Sequence, residues 1–379
     1  MNYTTRTNCI ICNNKLFNTF FINNKNIPIA TYCIQNKSNY INSLIPFNIF
    51  KCEKCFTVQT KYLGYLNEIY KYNHADGIGL TMQNLHKIVA DIIFKNYYYI
   101  NNIIEIGSSK GILADIIISK LNNTKYYIID PSYIGSSHEN KIILNDFYEN
   151  VNDTQLNANT LIISHVFEHF YNPIQILEKI NNNNNIKNFL LVWPDLDYYL
   201  NNNIYHVLNT EHTFYISNYN LIQLISSYNF KLIEEYNYIG HSKIYYFIKK
   251  INSINQQNIT YFNNNYIDLY FKKLNNTVLY LNNIINNTHK NIYLWPCSIH
   301  SIFLIVFGLN LTKITNFLDN SPLKINKKLY GYDKTCLSFY DFIQKNEDCF
   351  IILNGGIFNK EIENNIQNYP NISVLNCSN

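Results

Sequence analysis

The 379-residue chain is 47% hydrophobic and 16% aromatic, enough to bury two or three cores, so more than one domain is expected. Its formal charge of +4, with no stretch that gathers Lys and Arg, argues against nucleic acid as a partner, and its longest apolar run, IFLIVF at 302–307, is far too short to cross a bilayer. MNYTTRTNCI has no basic start followed by an apolar stretch, so a soluble, cytoplasmic chain is expected, with nine cysteines that read as metal ligands or core residues.

The first predicted unit holds the pairs CIIC and CEKC. Cys9, Cys12, Cys52 and Cys55 can bring four thiolates to one Zn²⁺ and leave no open position, which makes the site structural. Cys33, between the pairs, reads as a core residue and as the substitute ligand. Apolar spacing in LHKIVADIIFKNYYYI then predicts a lead-in helix.

NNIIEIGSSKGILADIIISKL predicts a strand, a glycine turn and a helix, the order by which a doubly wound α/β sheet receives a ligand at a strand's carboxyl end. Glu105 ends the strand, and Gly107, Ser108 and Gly111 lie in the turn; the pattern is E-x-G-x-x-x-G, not the dinucleotide fingerprint. The next strand, KYYIIDPS, ends at Asp130 about 20 residues on, where a carboxylate can accept hydrogen bonds from ribose hydroxyls. NKIILNDFYEN offers Asp146 and Phe147 to an adenine edge and face. In TLIISHVFEHFYNP, Ser164 and His165 end a strand, and a helix is expected to start with Glu168 and His169. His165 and His169 stand four apart and could share a metal on one helical face, without an evident third ligand, while Glu168 reads equally as a helix-surface charge or a catalytic group. Further on, LNTEHTFYIS sets Glu211 beside His212, and IDLYFKKLNNTVLYLNNII predicts a helix before a final unit that opens with NIYLWPCSIH.

IIEIGSSKG, YYIIDPS, ISHVFEHFYNP and LLVWPDL stand in the order seen in class I S-adenosylmethionine-dependent methyltransferases. Together with CIIC, CEKCFTVQ, TEHTFYIS and DNSPLKINKKLYG they make the chain, from about Cys9 onward, resemble the three-domain deoxysugar C-methyltransferase family. The resemblance implies an α/β fold. It has a zinc-binding module at 1–65, a Rossmann-like methyltransferase core with its lead-in helix at 66–250, and a C-terminal Rossmann-like domain at 251–379. It implies S-adenosylmethionine and structural Zn²⁺ as cofactors and a nucleotide-activated sugar as substrate; monomer and dimer stay open. Residue by residue, Glu105, Gly107 and Gly111 match the family's cofactor loop and Asp130 its ribose carboxylate, while the four paired cysteines match its zinc ligands. His169 matches the histidine after the fourth strand, Glu211 and His212 the pair acting at the sugar carbon, and Tyr72 a substrate-contacting tyrosine.

Methylating a carbon beside a keto group requires a base for the α-proton and donors for the enolate oxygen. An imidazole with a pKa of about 6.5 suits the first task, which makes His212 the expected base with Glu211 orienting it or the substrate. Neighbouring residues on a strand point to opposite faces, so both can reach one pocket only on irregular backbone. The chain departs from the family in having Asn209 and Thr210 where a tyrosine and a histidine precede the pair, GHSKIYY for a glycine-serine turn with arginine, and Trp295, Pro296 and Cys297 for a glycine-rich turn. No independent cofactor site is therefore expected in the last domain, which closes over the nucleotide end of the substrate or is architectural. O- or N-methylation of a sugar or glycan precursor is the nearest alternative, and an inert S-adenosylmethionine- or zinc-binding scaffold is the alternative from another class.

Overall fold

The computed structural model describes residues 3–16, 20–35, 43–72, 79–206, 208–250, 260–261 and 266–377, without the side chains of 20–24, 266 and 268. The expected domain boundary at 250/251 abuts residues outside this set, and residues 73–78, which follow Tyr72, lie outside it.

The N-terminal residues form short antiparallel strands. Phe20–Pro28, Leu44–Lys51 and Val58–Thr60 lie side by side, and the edge at Val58–Thr60 is extended by Phe214–Tyr215 from far down the chain. Each cysteine pair sits on a tight knuckle. The Asn13 N–H donates to the Cys9 carbonyl and the Phe56 N–H to that of Cys52, both at 2.9 Å, and Asn13 and Phe56 take the left-handed conformation that closes such turns.

The central sheet contains β1 (Ile103–Ile106), β2 (Tyr126–Ile129), β3 (Lys141–Leu144), β4 (Thr160–Ser164), β5 (Asn188–Pro194), β6 (Phe230–Tyr238) and β7 (Ser242–Lys249). Their spatial order is β6-β7-β5-β4-β1-β2-β3, parallel from β5 to β3 and antiparallel through β7 and β6. The strands β1, β2 and β5 are buried at every position. Continuous apolar runs such as these belong to parallel strands covered on both faces. On one face the helices Leu80–Lys95 and Ile112–Ile118 contribute Leu85, Val89, Ile93, Leu113 and Ile117 to a closed core. The other face joins a larger core that runs without a break into the N-terminal and C-terminal parts. The order reverses between β1 and β4, and a ligand crevice is expected outside the carboxyl ends of the strands at that switch.

The lead-in helix runs from Leu80 to Lys95, and Tyr97–Tyr99, which continued the apolar pattern, form one exposed turn beyond it. The helix expected to carry Glu168 and His169 begins only at Pro173. Asn172 caps it by accepting from the Gln175 N–H, and a residue before proline disfavours helical backbone. With His165 left-handed at φ 52°, Phe167–His169 make a single tight turn that drives Glu168 inward. Glu168 is 0% exposed, so it is no surface charge, and the four-residue helical spacing assumed for His165 and His169 does not arise.

The helix Tyr266–Asn286 leads to a second sheet, parallel throughout, of β8 (Asn291–Trp295), β9 (Asn316–Leu318), β10 (Cys336–Leu337), β11 (Cys349–Leu353) and β12 (Ile372–Asn376), in the order β10-β9-β8-β11-β12. Lys328–Leu329 pairs with Cys33–Ile34, which ties this part to the N-terminal strands. Among the described residues no helix is long and apolar enough to cross a membrane.

Candidate active site

The turn after β1 is shaped by its glycines. Gly107 and Gly111 have φ of 74° and 71°, and a Cβ on Gly107 would lie 2.3 Å from Val166 Cγ2, so the backbone passes close under the loop after β4. Asp130, at the end of β2, accepts from the Ser109 N–H through Oδ2 and from the Ser132 N–H through Oδ1, each at 2.7 Å. Its carboxylate is thereby fixed against the glycine turn. Glu105 accepts from the Ser108 hydroxyl at 2.7 Å and the Tyr126 hydroxyl at 2.9 Å, and burial, only partly offset by these donors, lifts its carboxyl to about 7.

A cleft of about 160 Å³ opens at these strand ends, lined by Gly107, Asp130, Phe147, His165, His169 and Glu211 among others. A larger cavity of about 620 Å³ adjoins it, and Gly107, Ser109, His165, His169 and Glu211 line both. Glu105, Ser108 and Ser164 line the larger space. Asp146 lines neither: it is exposed, and its Oδ1 accepts from the Phe147 N–H and Asn150 Nδ2 in a local turn.

Glu211 and His212 sit on a turn, not a strand. Asn209 Oδ1 accepts both of their backbone N–H groups, at 2.7 and 3.0 Å, and the Asn209 N–H returns to the His212 carbonyl at 3.2 Å. This irregular backbone lets both side chains line the larger cavity. The Thr31 hydroxyl donates to Glu211 Oε1. His212 Nδ1 lies 2.8 Å from the Tyr215 hydroxyl, His169 Nδ1 lies 2.6 Å from that of Tyr70, and the two imidazoles meet edge to face at 4.8 Å. Tyr72, the expected substrate contact, is half exposed, packs on Tyr32 and lines neither space.

Sequence reasoning missed Tyr70, Thr31 and Tyr215, and it missed the burial of Glu168 among His165, His169 and His212. Burial alone would raise the Glu168 carboxyl, but the three imidazoles outweigh it and hold the group below its ordinary range. In a chain with 34 tyrosines nothing local separates Tyr70 from Tyr72.

Residues 66–235 match the family model described as "Methyltransferase domain". They form a methyltransferase domain. The match covers under half of the chain, and no family is assigned to the rest. Human N-acetylserotonin methyltransferase in complex with SAM is 14% identical, with 50% of this chain and 63% of that chain covered and a TM-score of 0.35. The plantazolicin methyltransferase BpumL with SAH is 13% identical, covering 45% and 84% at 0.36, and the methyltransferase domain of bacterial CtHen1-C is 12% identical, covering 45% and 99% at 0.37. A DNA-directed RNA polymerase subunit beta'' of Plasmodium falciparum is 28% identical over 327 residues; the chain spans about a third of that relative's length, and the similarity assigns no family.

Beyond the methyltransferase domain, the C-terminal sheet supplies Trp295, Pro296, Ser298, His300, Asp319 and Lys324 to the larger cavity. His206 and His300 meet there with ring centres 3.6 Å apart and planes tilted by 34°; burial and neighbouring positive charge hold both low, His300 down to about 3, so they stand neutral near pH 7. Lys324 pairs with Asp319 at 2.8 Å, and that carboxylate overcomes burial to hold the ammonium above its ordinary value. Cys33 stands apart from the knuckles, 3.6 Å from Cys297.

In the cysteine cluster, Cys9 Sγ lies 3.4 Å from Cys55 Sγ and Cys12 Sγ 3.5 Å from Cys52 Sγ, and the four sulfurs fall within 4.8 Å of one another. Four Zn–S bonds of about 2.3 Å set tetrahedral sulfurs roughly 3.8 Å apart, so the donor set fits zinc. Gln59 Nε2 donates to Cys9 Sγ at 3.3 Å and Thr57 Oγ1 lies 3.1 Å from Cys55 Sγ, polar neighbours of the kind that steady thiolates.

Proposed function

We propose that this methyltransferase transfers the methyl group of S-adenosylmethionine to a nucleotide-activated sugar, at the carbon beside a keto group. Glu211 and His212 act as the pair that removes the α-proton and steadies the oxygen gaining charge. The observation that supports this best is Glu211, which lines the narrow cleft and the larger cavity together, so a donor over the glycine turn and an acceptor in the cavity would meet beside it. In this reading Asp130 takes the ribose hydroxyls, Phe147 packs on the adenine, and Gly107 and Gly111 allow close approach of the backbone. Lys110 and Lys324, both lining the larger cavity, face the substrate's phosphates. Zn²⁺ held by Cys9, Cys12, Cys52 and Cys55 is structural, and nine free cysteines suit a reducing, cytoplasmic setting.

O-Methylation is the second reading, favoured by one observation. Asn209, standing where the resemblance calls for a polar partner of the pair, spends its Oδ1 on two backbone N–H groups, and both it and Thr210 are buried. The enolate thus lacks donors that a hydroxyl acceptor does not require. A 4-keto-deoxysugar nucleotide carrying deuterium at the α-carbon separates the readings: C-methylation releases the label, whereas O-methylation keeps it in the product. If saturating S-adenosylmethionine leaves the melting temperature unchanged, both readings fall in favour of an inert scaffold.

A further inference from the structure

Both carboxylate oxygens of Glu168 lack a hydrogen-bond partner among the described residues, although the side chain is fully buried. Such a charge is costly unless something neutralises it, and an unmatched buried group calls for an explanation. The surrounding imidazoles favour the charge but leave both oxygens without a hydrogen bond among the described residues. His165 Nδ1 lies 3.7 Å and His169 Nε2 4.0 Å from Glu168 Oε1, beyond hydrogen-bond reach. Glu168, His169 and His212 nevertheless offer one donor atom each within 4.8 Å of one another. Around an ion with bonds of about 2.1 Å, adjacent donors stand roughly 3.0–3.4 Å apart, so a small closure completes a shell. The Tyr70 and Tyr215 hydroxyls hold the His169 and His212 rings by Nδ1, the outer hydrogen bond by which ligating imidazoles are aimed.

We propose that Glu168, His169 and His212 bind one divalent first-row metal ion at the wall of the larger cavity. His169 and His212 line that cavity, so the ion keeps open positions toward it. A carboxylate with two imidazoles suits manganese, iron, cobalt or zinc, whereas the thiolate cluster selects the softer ion. Binding stands independently of the proposed function; its chemical use rests on that reading. The acceptor's keto or hydroxyl oxygen binds the ion, and Glu211 takes the proton from the α-carbon or the hydroxyl. The electron pair left behind attacks the methyl carbon as the carbon–sulfur bond breaks. That bond's electrons stay on sulfur, turning the sulfonium into a neutral thioether. The pair's work is thus divided, with Glu211 serving the proton and His212 the ion.

Manganese(II) titration followed by electron paramagnetic resonance tests the site on the full chain, with one equivalent of zinc present to keep the cysteines filled. One Mn(II) should bind per wild-type chain, and Glu168→Gln should weaken it by about a hundredfold while S-adenosylmethionine binding holds. If circular dichroism shows Glu168→Gln misfolded, His169→Gln is read in its place. A wild-type chain that leaves the Mn(II) spectrum unchanged to millimolar concentration, or a folded variant that binds as wild type does, overturns the proposal and leaves Glu168 a counter-ion to its histidines. Mn(II) bound without any sugar methylated would sink the proposed function and not the site, and methylation by an ion-free chain would do the reverse.

Discussion

Gly107→Ala should both destabilise the protein and close the narrow cleft. At φ 74° an alanine costs about 1–2 kcal/mol in the left-handed region. Its Cβ would stand 2.3 Å from Val166 Cγ2, and because valine is stiff at χ1 the relief must come from backbone shifts of about 1–3 kcal/mol. The sum is about 2–5 kcal/mol, or roughly 4–20 °C in melting temperature at about 2–4 °C per kcal/mol. Gly308→Ala is the internal control: its φ is 105° and nothing lies within 4 Å of an added Cβ, so it carries conformational strain alone. Urea unfolding of both variants isolates the contact. Adding Val166→Ala to Gly107→Ala should recover stability, since the clashing methyl is gone. Equal losses in Gly107→Ala and Gly308→Ala, or no recovery in the double variant, would refute the close approach of the glycine turn to the loop after β4.

Asp130→Asn should weaken S-adenosylmethionine by roughly ten- to a hundredfold, the worth of hydrogen bonds to a charged acceptor, and calorimetry giving less than a twofold change would rule out the ribose role. Cys52→Ser should release the zinc seen by native mass spectrometry and lower the melting temperature; zinc retained at one per chain would contradict a four-thiolate site. Glu105, lifted to about 7, binds its proton in the folded chain where the unfolded chain has released it, so its contribution is present below about pH 4.5 and is lost as pH rises toward 7. The span corresponds to up to about 3 kcal/mol, and Glu105→Gln should flatten the fall in urea midpoint between about pH 5 and pH 8. Asn209→Ala should lower turnover more than S-adenosylmethionine affinity, because it frees two backbone N–H groups under Glu211 and His212 while Gly107 and Asp130 keep their places in the cleft.

What the sequence made legible was local. A C-x-x-C pair closes one knuckle by its own spacing, and a strand, glycine turn and helix followed by an acid-ended strand specify a crevice within some 25 residues. Glu168 was out of reach because its burial depends on a left-handed His165, on the helix-delaying Asn172–Pro173 step and on histidines from distant segments. Asp146 looked like a ligand group at the end of a strand, yet one of its oxygens serves the turn it begins. Glu211 and His212 could be paired from the sequence, but the Asn209 side chain that aims them at one cavity could not.

Thr213 is where the N-terminal strands meet the central domain. Its carbonyl accepts from Arg6 Nη1 at 2.7 Å and from the Thr60 N–H at 2.9 Å, and its own N–H donates to the Glu168 carbonyl at 3.1 Å. The next two residues continue as a strand against Val58–Thr60. The turn bearing Glu211 and His212 is therefore held at its far end by the cysteine module, about 150 residues upstream. A trimmed chain of the central sheet alone would keep its glycine turn and Asp130 but leave the strand after His212 without its neighbour. Donor binding and methyl transfer should thus be separable by truncation, and any change that loosens the N-terminal strands becomes a change in the chemistry.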